Sequence, residues 1–191
     1  MNGLEVLASL FGLINVTLVV RRSIWNYPFG LAMVTLYAVV FYRAKLYSDA
    51  SLQLFFFAIQ VYGWVAWSRV RAVAGEVVIG EMSARARIGW AAGTGLAIAV
   101  WGGLMHRFTD AAFPWWDAAV AILSVAAQLL MIKRRFESWW VWILVDVLSI
   151  GLYAANRLWP TMILYILFLV LAIWGLRQWS RARDVTSQVA V

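Results

Sequence analysis

Lys133-Arg134-Arg135-Phe136-Glu137-Ser138-Trp139-Trp140-Val141-Trp142-Ile143-Leu144-Val145-Asp146 is a basic turn that runs into an apolar helix holding one carboxylate. The run stays apolar to Tyr153, so Asp146 lies in the middle of a hydrophobic segment. At 3.6 residues per turn, Trp139, Trp142, Asp146, Ser149, Tyr153 and Asn156 step by three or four and share one face. An ionisable group at membrane depth costs roughly 2.5–3.5 kcal/mol on insertion scales, so Asp146 turns inward, toward a cavity or a partner. The aromatics beside it suit a flat cationic ligand, because a desolvated cation over an aromatic face gains about 2 kcal/mol or more. The competing account is a belt of interfacial tryptophans, with Asp146 paired to another helix. That belt accounts for Trp139 and Trp140 next to the basic turn, fits Trp142 less well and leaves Asp146 unexplained.

The rest of the chain belongs with this segment in a membrane. Of 191 residues, 64% are hydrophobic and 13% charged, with a mean hydropathy of +0.80. A soluble domain carries about 25% charge and about 45–50% apolar residues. The absence of cysteine excludes disulfides, thiolate nucleophiles and cysteine metal sites. Apolar runs of membrane-spanning length predict seven helices near 3–20, 28–43, 50–68, 88–105, 114–132, 138–156 and 160–179. The first run has no basic n-region and no small-residue cleavage site, so it reads as a retained span.

The net charge of +7 is explained by topology, not by nucleic acid. With seven spans, twelve of the 16 Lys and Arg residues fall on one side: Arg21, Arg22, Arg69, Arg71, Arg85, Arg87, Lys133, Arg134, Arg135, Arg177, Arg181 and Arg183. Arg43, Lys45, Arg107 and Arg157 fall on the other. The positive-inside rule places the twelve in the cytoplasm, with the N-terminus outside and the C-terminus cytoplasmic.

Residues 70 to 88 hold Gly75, Glu76, Gly80, Glu81 and Ser83 and read as a linker. An offset of 112 aligns residues 2–67 with 114–179 without a gap. Identities are few, but the punctuation coincides. Glu5 meets Asp117, Arg21-Arg22 meet Lys133-Arg134, Lys45-Leu46 meet Arg157-Leu158, Gly63 meets Gly175 and Trp67 meets Trp179. A three-span unit crosses an odd number of times, so one intervening span returns its copy to the same orientation. The expected fold is therefore an all-α integral membrane protein with seven transmembrane helices in a 3+1+3 arrangement. Two parallel three-helix repeats (1–69 and 112–180) are joined by a linker and linker helix (70–111), and a cytoplasmic tail (181–191) follows. Such parallel repeats are a known transporter design, with substrate near the midplane. A plain seven-helix bundle with accidental register is the alternative.

Other polar positions are weaker signals. Gln53 and Gln60 share one face of span three, with Trp64 a turn further on, and Gln128 lies in span five. A glutamine in lipid must find a partner, either a ligand's amide or hydroxyl groups or a neighbouring helix. Pro28-Phe29-Gly30 opens span two, where Pro suits a helix start and Pro28 with Gly30 could form a hinge. Gly102-Gly103 marks close helix packing. His106 is the only histidine, so no zinc-ligand spacing exists and neither a metal nor a cofactor is expected. There is no phosphate-binding Gly-rich loop, and Lys45 and Lys133, the only lysines, lie in loops, which excludes a retinal Schiff base. No serine sits in a nucleophile arrangement, so an enzyme is not expected.

Several segments resemble the PnuC-type nicotinamide riboside transporters. They are Leu46-Tyr47, Leu52 to Phe57, Tyr62-Gly63-Trp64, Ala66-Trp67-Ser68-Arg69, Asn26-Tyr27, Phe113-Pro114-x-Trp116-Asp117, Glu137-x-Trp139-x-x-Trp142 and Gly175-x-Arg177-x-Trp179. The resemblance covers nearly all of the chain outside the linker and much of span four. It implies facilitated, bidirectional diffusion (uniport) of nicotinamide riboside across a bacterial inner membrane and trapping by a separate cytoplasmic riboside kinase. It also implies homotrimers and an architecture related to the 3+1+3 sugar carriers. By position, Trp139, Trp142 and Gln53 carry over as substrate contacts. Asp146 carries over as a hydrogen-bonding group, since relatives with Asn there would keep such a bond. With no Lys or Arg at midplane, the mononucleotide should be rejected. Asp146 aligns with Val34 and Trp142 with Gly30, so the second repeat is expected to hold the ring while Pro28, Gly30 and Thr35 gate. A proton-coupled carrier using Asp146 as relay and a non-transporting scaffold are the rival readings.

Overall fold

The computed structural model describes residues 3–43, 47–109, 113–155, 157 and 159–189. These form seven helices: α1 (Gly3–Val20), α2 (Asn26–Arg43), α3 (Tyr47–Ala74), α4 (Ala84–Phe108), α5 (Pro114–Ile132), α6 (Ser138–Ala155) and α7 (Trp159–Val189). Helix is the form these runs take because lipid offers no partner for backbone N–H and C=O groups, and a helix satisfies them within the segment. Gly3–Val20, Ala84–Phe108, Pro114–Ile132, Ser138–Ala155 and Thr161–Arg183 are long and apolar enough to cross a membrane. Asn26–Val40 is a shorter apolar stretch. α3 is less apolar, with Gln53, Gln60, Tyr62 and Arg69 along its length.

The chain divides into two compact units, Met1–Val78 and Ile79–Val191. In the first, α2 packs between α1 and α3; in the second, α4 packs on α5, α5 on α6 and α6 on α7. The α4–α5 contact is made where Gly102 lies under the indole of Trp115, with no room for a Cβ. This bears out the close packing expected at Gly102-Gly103.

The offset of 112 reappears as geometry. α1 ends with Arg22 at φ 56° and α5 with Arg134 at φ 55°. Ser23 N–H donates to Leu18 O at 2.9 Å and Arg22 N–H to Val19 O at 2.9 Å. In the second unit Arg135 N–H donates to Leu130 O and Arg134 N–H to Met131 O, both at 2.9 Å. These are paired Schellman endings, each with an arginine in the left-handed position that glycine usually takes. One turn later the rings match as well. Tyr27 meets Trp67 edge-on at 5.5 Å and 89°, and Trp139 meets Trp179 at 5.5 Å and 86°. Trp67 and Trp179 are both wholly buried. The aligned pair Lys45-Leu46 lies outside the described residues.

Residues 70 to 88 are more structured than a linker. α3 continues to Ala74 and α4 starts at Ala84. A hydropathy count stops where Arg69 and Arg71 begin, whereas helical hydrogen bonding does not. From Ile79 on, the segment between belongs to the second unit and is fastened within it. Gly80 N–H donates to Arg134 O, and Phe136 N–H donates to Gly80 O, both at 3.0 Å. One oxygen of Glu137 accepts from Met82 N–H and from Arg87 Nε, each at 2.8 Å. Glu81 pairs with Arg87 and with Arg183 of α7 at 3.2 Å. In the first unit Arg22 pairs with Glu76 at 3.0 Å. Within each unit, then, loops assigned to one side by their basic residues meet at one end.

Glu137 is the centre of the fastening in the second unit, being buried while Arg87 is half exposed. Glu137→Ala is expected to cost about 1–3 kcal/mol, because two donors lose an acceptor bearing charge. Glu137→Gln, which still accepts from Met82 N–H, should cost less. Thermal unfolding in detergent measures both, and an unchanged melting temperature in the alanine variant would remove Glu137 from this role.

Candidate functional site

α6 carries the site's polar face. Ser138, Trp139, Val145, Asp146, Ser149 and Leu152 are buried along it, while Trp140 on the opposite side is exposed, as an interfacial residue would be. α5 covers one flank, where Trp116 Nε1–H donates to Leu148 O at 3.0 Å and its ring lies against Gly151. α7 covers the other, with Trp139 seated over Gly175 and the ring of Tyr165 tilted at 46° to that of Tyr153, 5.1 Å away.

Between these flanks the polar groups are unsatisfied. Asp146 is 4% exposed and makes no hydrogen bond or ion pair among the described residues. The buried side-chain atoms without a partner among those residues are Glu137 Oε2, Trp139 Nε1 and Ser149 Oγ. All three belong to α6 or the turn that leads into it. Buried polar atoms are almost always paired, and of these exceptions the Ser149 hydroxyl lies one turn from Asp146 on the same face of α6. Trp142 and Tyr153, on the same face, are half-buried.

Trp139 is placed differently from the cradle expected of it. Its indole is 1% exposed, lies over Gly175 and meets Trp179 edge-on, so its faces are occupied by protein. Trp142, half-buried, is the less enclosed tryptophan of the pair. Asn156 lies outside the described residues. Gln128 on α5 is half-buried and without a hydrogen bond among the described residues.

In the first unit the structure brings Gly30 and Gln60 together. A Cβ on Gly30 would lie 2.5 Å from Gln60 Nε2 and 2.7 Å from Asn15 Nδ2. Gln60 is buried and Gln53, further up the same helix, is half-buried. Asn15 donates to Asn26 O at 2.7 Å. Thr35 is exposed and bonds back to Leu31 O, and Pro28 is half-buried in the first turn of α2. Asn15 and Ser149 were not singled out from the sequence as ligand contacts. The signal for Asn15 was an amide at mid-span, the same one that flagged Gln60. The groove between α4 and α5, about 370 Å³ and lined by residues such as Gly93, Ala97 and Val125, is almost wholly apolar. It contains none of these polar atoms.

Residues 2–181 match the family model described as Nicotinamide mononucleotide transporter. The chain belongs to that family. It is a family of multi-pass membrane transporters, not of enzymes. The chain is 30% identical to the nicotinamide riboside transporter PnuC of Escherichia coli, across 96% of this chain and 88% of that protein. It is 27% identical to the riboflavin/roseoflavin transporter RibM of Streptomyces davaonensis, across 92% of this chain and 83% of that one. The crystal structure of the vitamin B3 transporter PnuC is similar, with a TM-score of 0.78, 29% identity, and coverage of 95% of this chain and 82% of that chain.

Proposed function

We propose that this chain is a uniporter for nicotinamide riboside, moving it by facilitated diffusion across a bacterial inner membrane through alternating access around the polar face of α6. The observation that carries this reading is Asp146, buried at mid-helix without a partner among the described residues, one turn after the half-buried Trp142. Nicotinamide riboside presents a cationic ring, a carboxamide and ribose hydroxyls. A tryptophan face, a carboxylate and hydroxyl or amide side chains complement those three features. The relatives named for the riboside support the same substrate. Riboflavin, which a more distant relative is named for, has an uncharged ring that gives the carboxylate nothing to neutralise. The mononucleotide would bring a phosphate, and α6 has no lysine or arginine to receive it.

Gln53, Gln60, Gln128, Tyr153 and Asn156 are the further contacts assigned to this substrate, and Pro28, Gly30 and Thr35 the gate. Trp139 takes a supporting role behind Trp142. The seven helices are read as seven spans in the 3+1+3 order, N-terminus outside and C-terminus cytoplasmic. The paired Schellman turns and ring pairs support the repeat. The family resemblance supports a homotrimer, with a cytoplasmic riboside kinase giving uptake its direction.

Counterflow in proteoliposomes is the test. Labelled nicotinamide riboside should accumulate transiently in vesicles loaded with unlabelled riboside, and a protonophore should not alter it. The mononucleotide should fail to compete. Competition by riboflavin with no effect of riboside would transfer the assignment to that vitamin. Uphill uptake into riboside-free vesicles driven by an imposed proton gradient would replace facilitation with proton coupling.

A further inference from the structure

We infer that Ser149 is a substrate contact, and that with Asp146 it selects a carboxamide over a carboxylate on the pyridine ring. This rests on the riboside reading above. Ser149 is wholly buried and its hydroxyl has no hydrogen-bond partner among the described residues. Three other helical hydroxyls solve that problem locally. Thr17 bonds Leu13 O at 2.8 Å, Thr35 bonds Leu31 O at 2.7 Å and Ser124 bonds Val120 O at 2.7 Å. Each reaches the carbonyl four residues back, the usual resort of a hydroxyl in a helix. Ser149 has Val145 O at the same spacing and does not use it.

Its neighbour on the face supplies the other half of a recognition pair. Asp146 lies three residues earlier, about 4.5 Å along the axis, with the two Cβ atoms about 5–6 Å apart. An ionised carboxylate only accepts hydrogen bonds, and a hydroxyl can donate. A primary carboxamide offers both complements, N–H to Asp146 and C=O to Ser149. The two bonds converge on one planar group from adjacent positions of one helix. A ring carboxylate, as in nicotinic acid riboside, has no N–H and brings a negative charge against Asp146. The pair therefore accepts the amide and repels the acid. In the first unit the position aligned with Ser149 is Tyr37, whose hydroxyl is already partnered by Ser9 at 3.1 Å. The selecting pair thus belongs to the second unit.

Isothermal titration of the full-length protein in detergent, with thermal unfolding of the ligand-free protein alongside, tests this. The wild type should bind nicotinamide riboside and bind nicotinic acid riboside at least tenfold more weakly. Ser149→Ala should weaken the amide riboside roughly tenfold, the loss of about one hydrogen bond. It should leave the ligand-free melting temperature unchanged or raised, because it deletes an unsatisfied buried group. Ser149→Thr, which keeps the hydroxyl, should retain most of the binding, and Asp146→Asn should narrow the preference for amide over acid. Unchanged affinity in Ser149→Ala, or equal wild-type affinity for amide and acid, overturns this inference while leaving the riboside reading intact. A fall in melting temperature with affinity preserved would assign Ser149 to packing and overturn it too. Should Ser149→Ala fail to fold, the wild-type comparison of amide and acid still decides. A wild type that binds neither riboside overturns the functional reading itself.

Discussion

Gly175→Ala will lower the melting temperature of the purified protein, although alanine is the better helix former. The gain in propensity is roughly 1 kcal/mol. Against it stands a methyl group that would lie 2.5, 2.5 and 2.6 Å from three ring carbons of Trp139. An indole is rigid, and this one is 1% exposed and packed edge-on against Trp179, itself wholly buried. Neither ring can yield without moving α6 against α7, and overpacking of this kind costs about 1–3 kcal/mol even where a core can adjust. Gly30→Ala is the comparison that isolates the cause. The atoms nearest its new methyl, at 2.5 and 2.7 Å, are the amide nitrogens of Gln60 and Asn15. Those are the ends of side chains, which can shift where an indole cannot, Asn15 at the expense of its bond to Asn26 O, so its loss of stability should be smaller. Equal melting temperatures for wild type and Gly175→Ala would mean that the α6–α7 contact is looser than the ring geometry implies.

Trp142→Ala will abolish most of the affinity for nicotinamide riboside while sparing the fold. Stacking of a planar ring on an aromatic side chain contributes about 1–3 kcal/mol, and a desolvated cation over the ring about 2 kcal/mol or more. These overlapping effects predict a loss of ten- to a hundredfold in affinity. Trp142 is half-buried, so its removal leaves less of a cavity than truncating Trp139 would. Trp140→Ala is the internal control. It sits next to Trp139 in sequence but is 57% exposed and about 160° around the helix from Trp142, so its titration should match wild type. Loss of binding in Trp140→Ala, with Trp142→Ala unaffected, would reverse the assigned faces of α6.

How far each feature could be read beforehand follows from what it depends on. α1 and α5 begin and end where their apolar runs do, since both are bounded by residues that stop a helix or leave the lipid. α3 and α7 run beyond their apolar stretches, because a helix continues through arginines that hydropathy treats as a boundary. The segment after Gly75 resembled a linker for its glycines and charges. Yet Glu81, Arg87, Glu137 and Arg183 pair at separations of up to 102 residues, a distance at which no local pattern reports. Tyr27 aligned with Trp139 under the offset, but alignment could not say that both would meet a buried tryptophan at the same angle.

The polar face of α6 shows the same division. That Trp142, Asp146 and Ser149 share a face follows from the helical period alone, as does the expectation that a lone mid-span carboxylate turns inward. The sequence by itself determined the helix order, the likeness of the two halves and the family, all quantities of spacing and composition along one dimension. Only the tertiary structure decided which of those residues were already satisfied. It closed Trp139 between Gly175 and Trp179 and left Asp146 and the Ser149 hydroxyl without partners among the described residues. The reason is physical: a hydrogen bond or a ring contact depends on what a neighbouring helix presents at that depth, and the period of a helix says nothing about its neighbour.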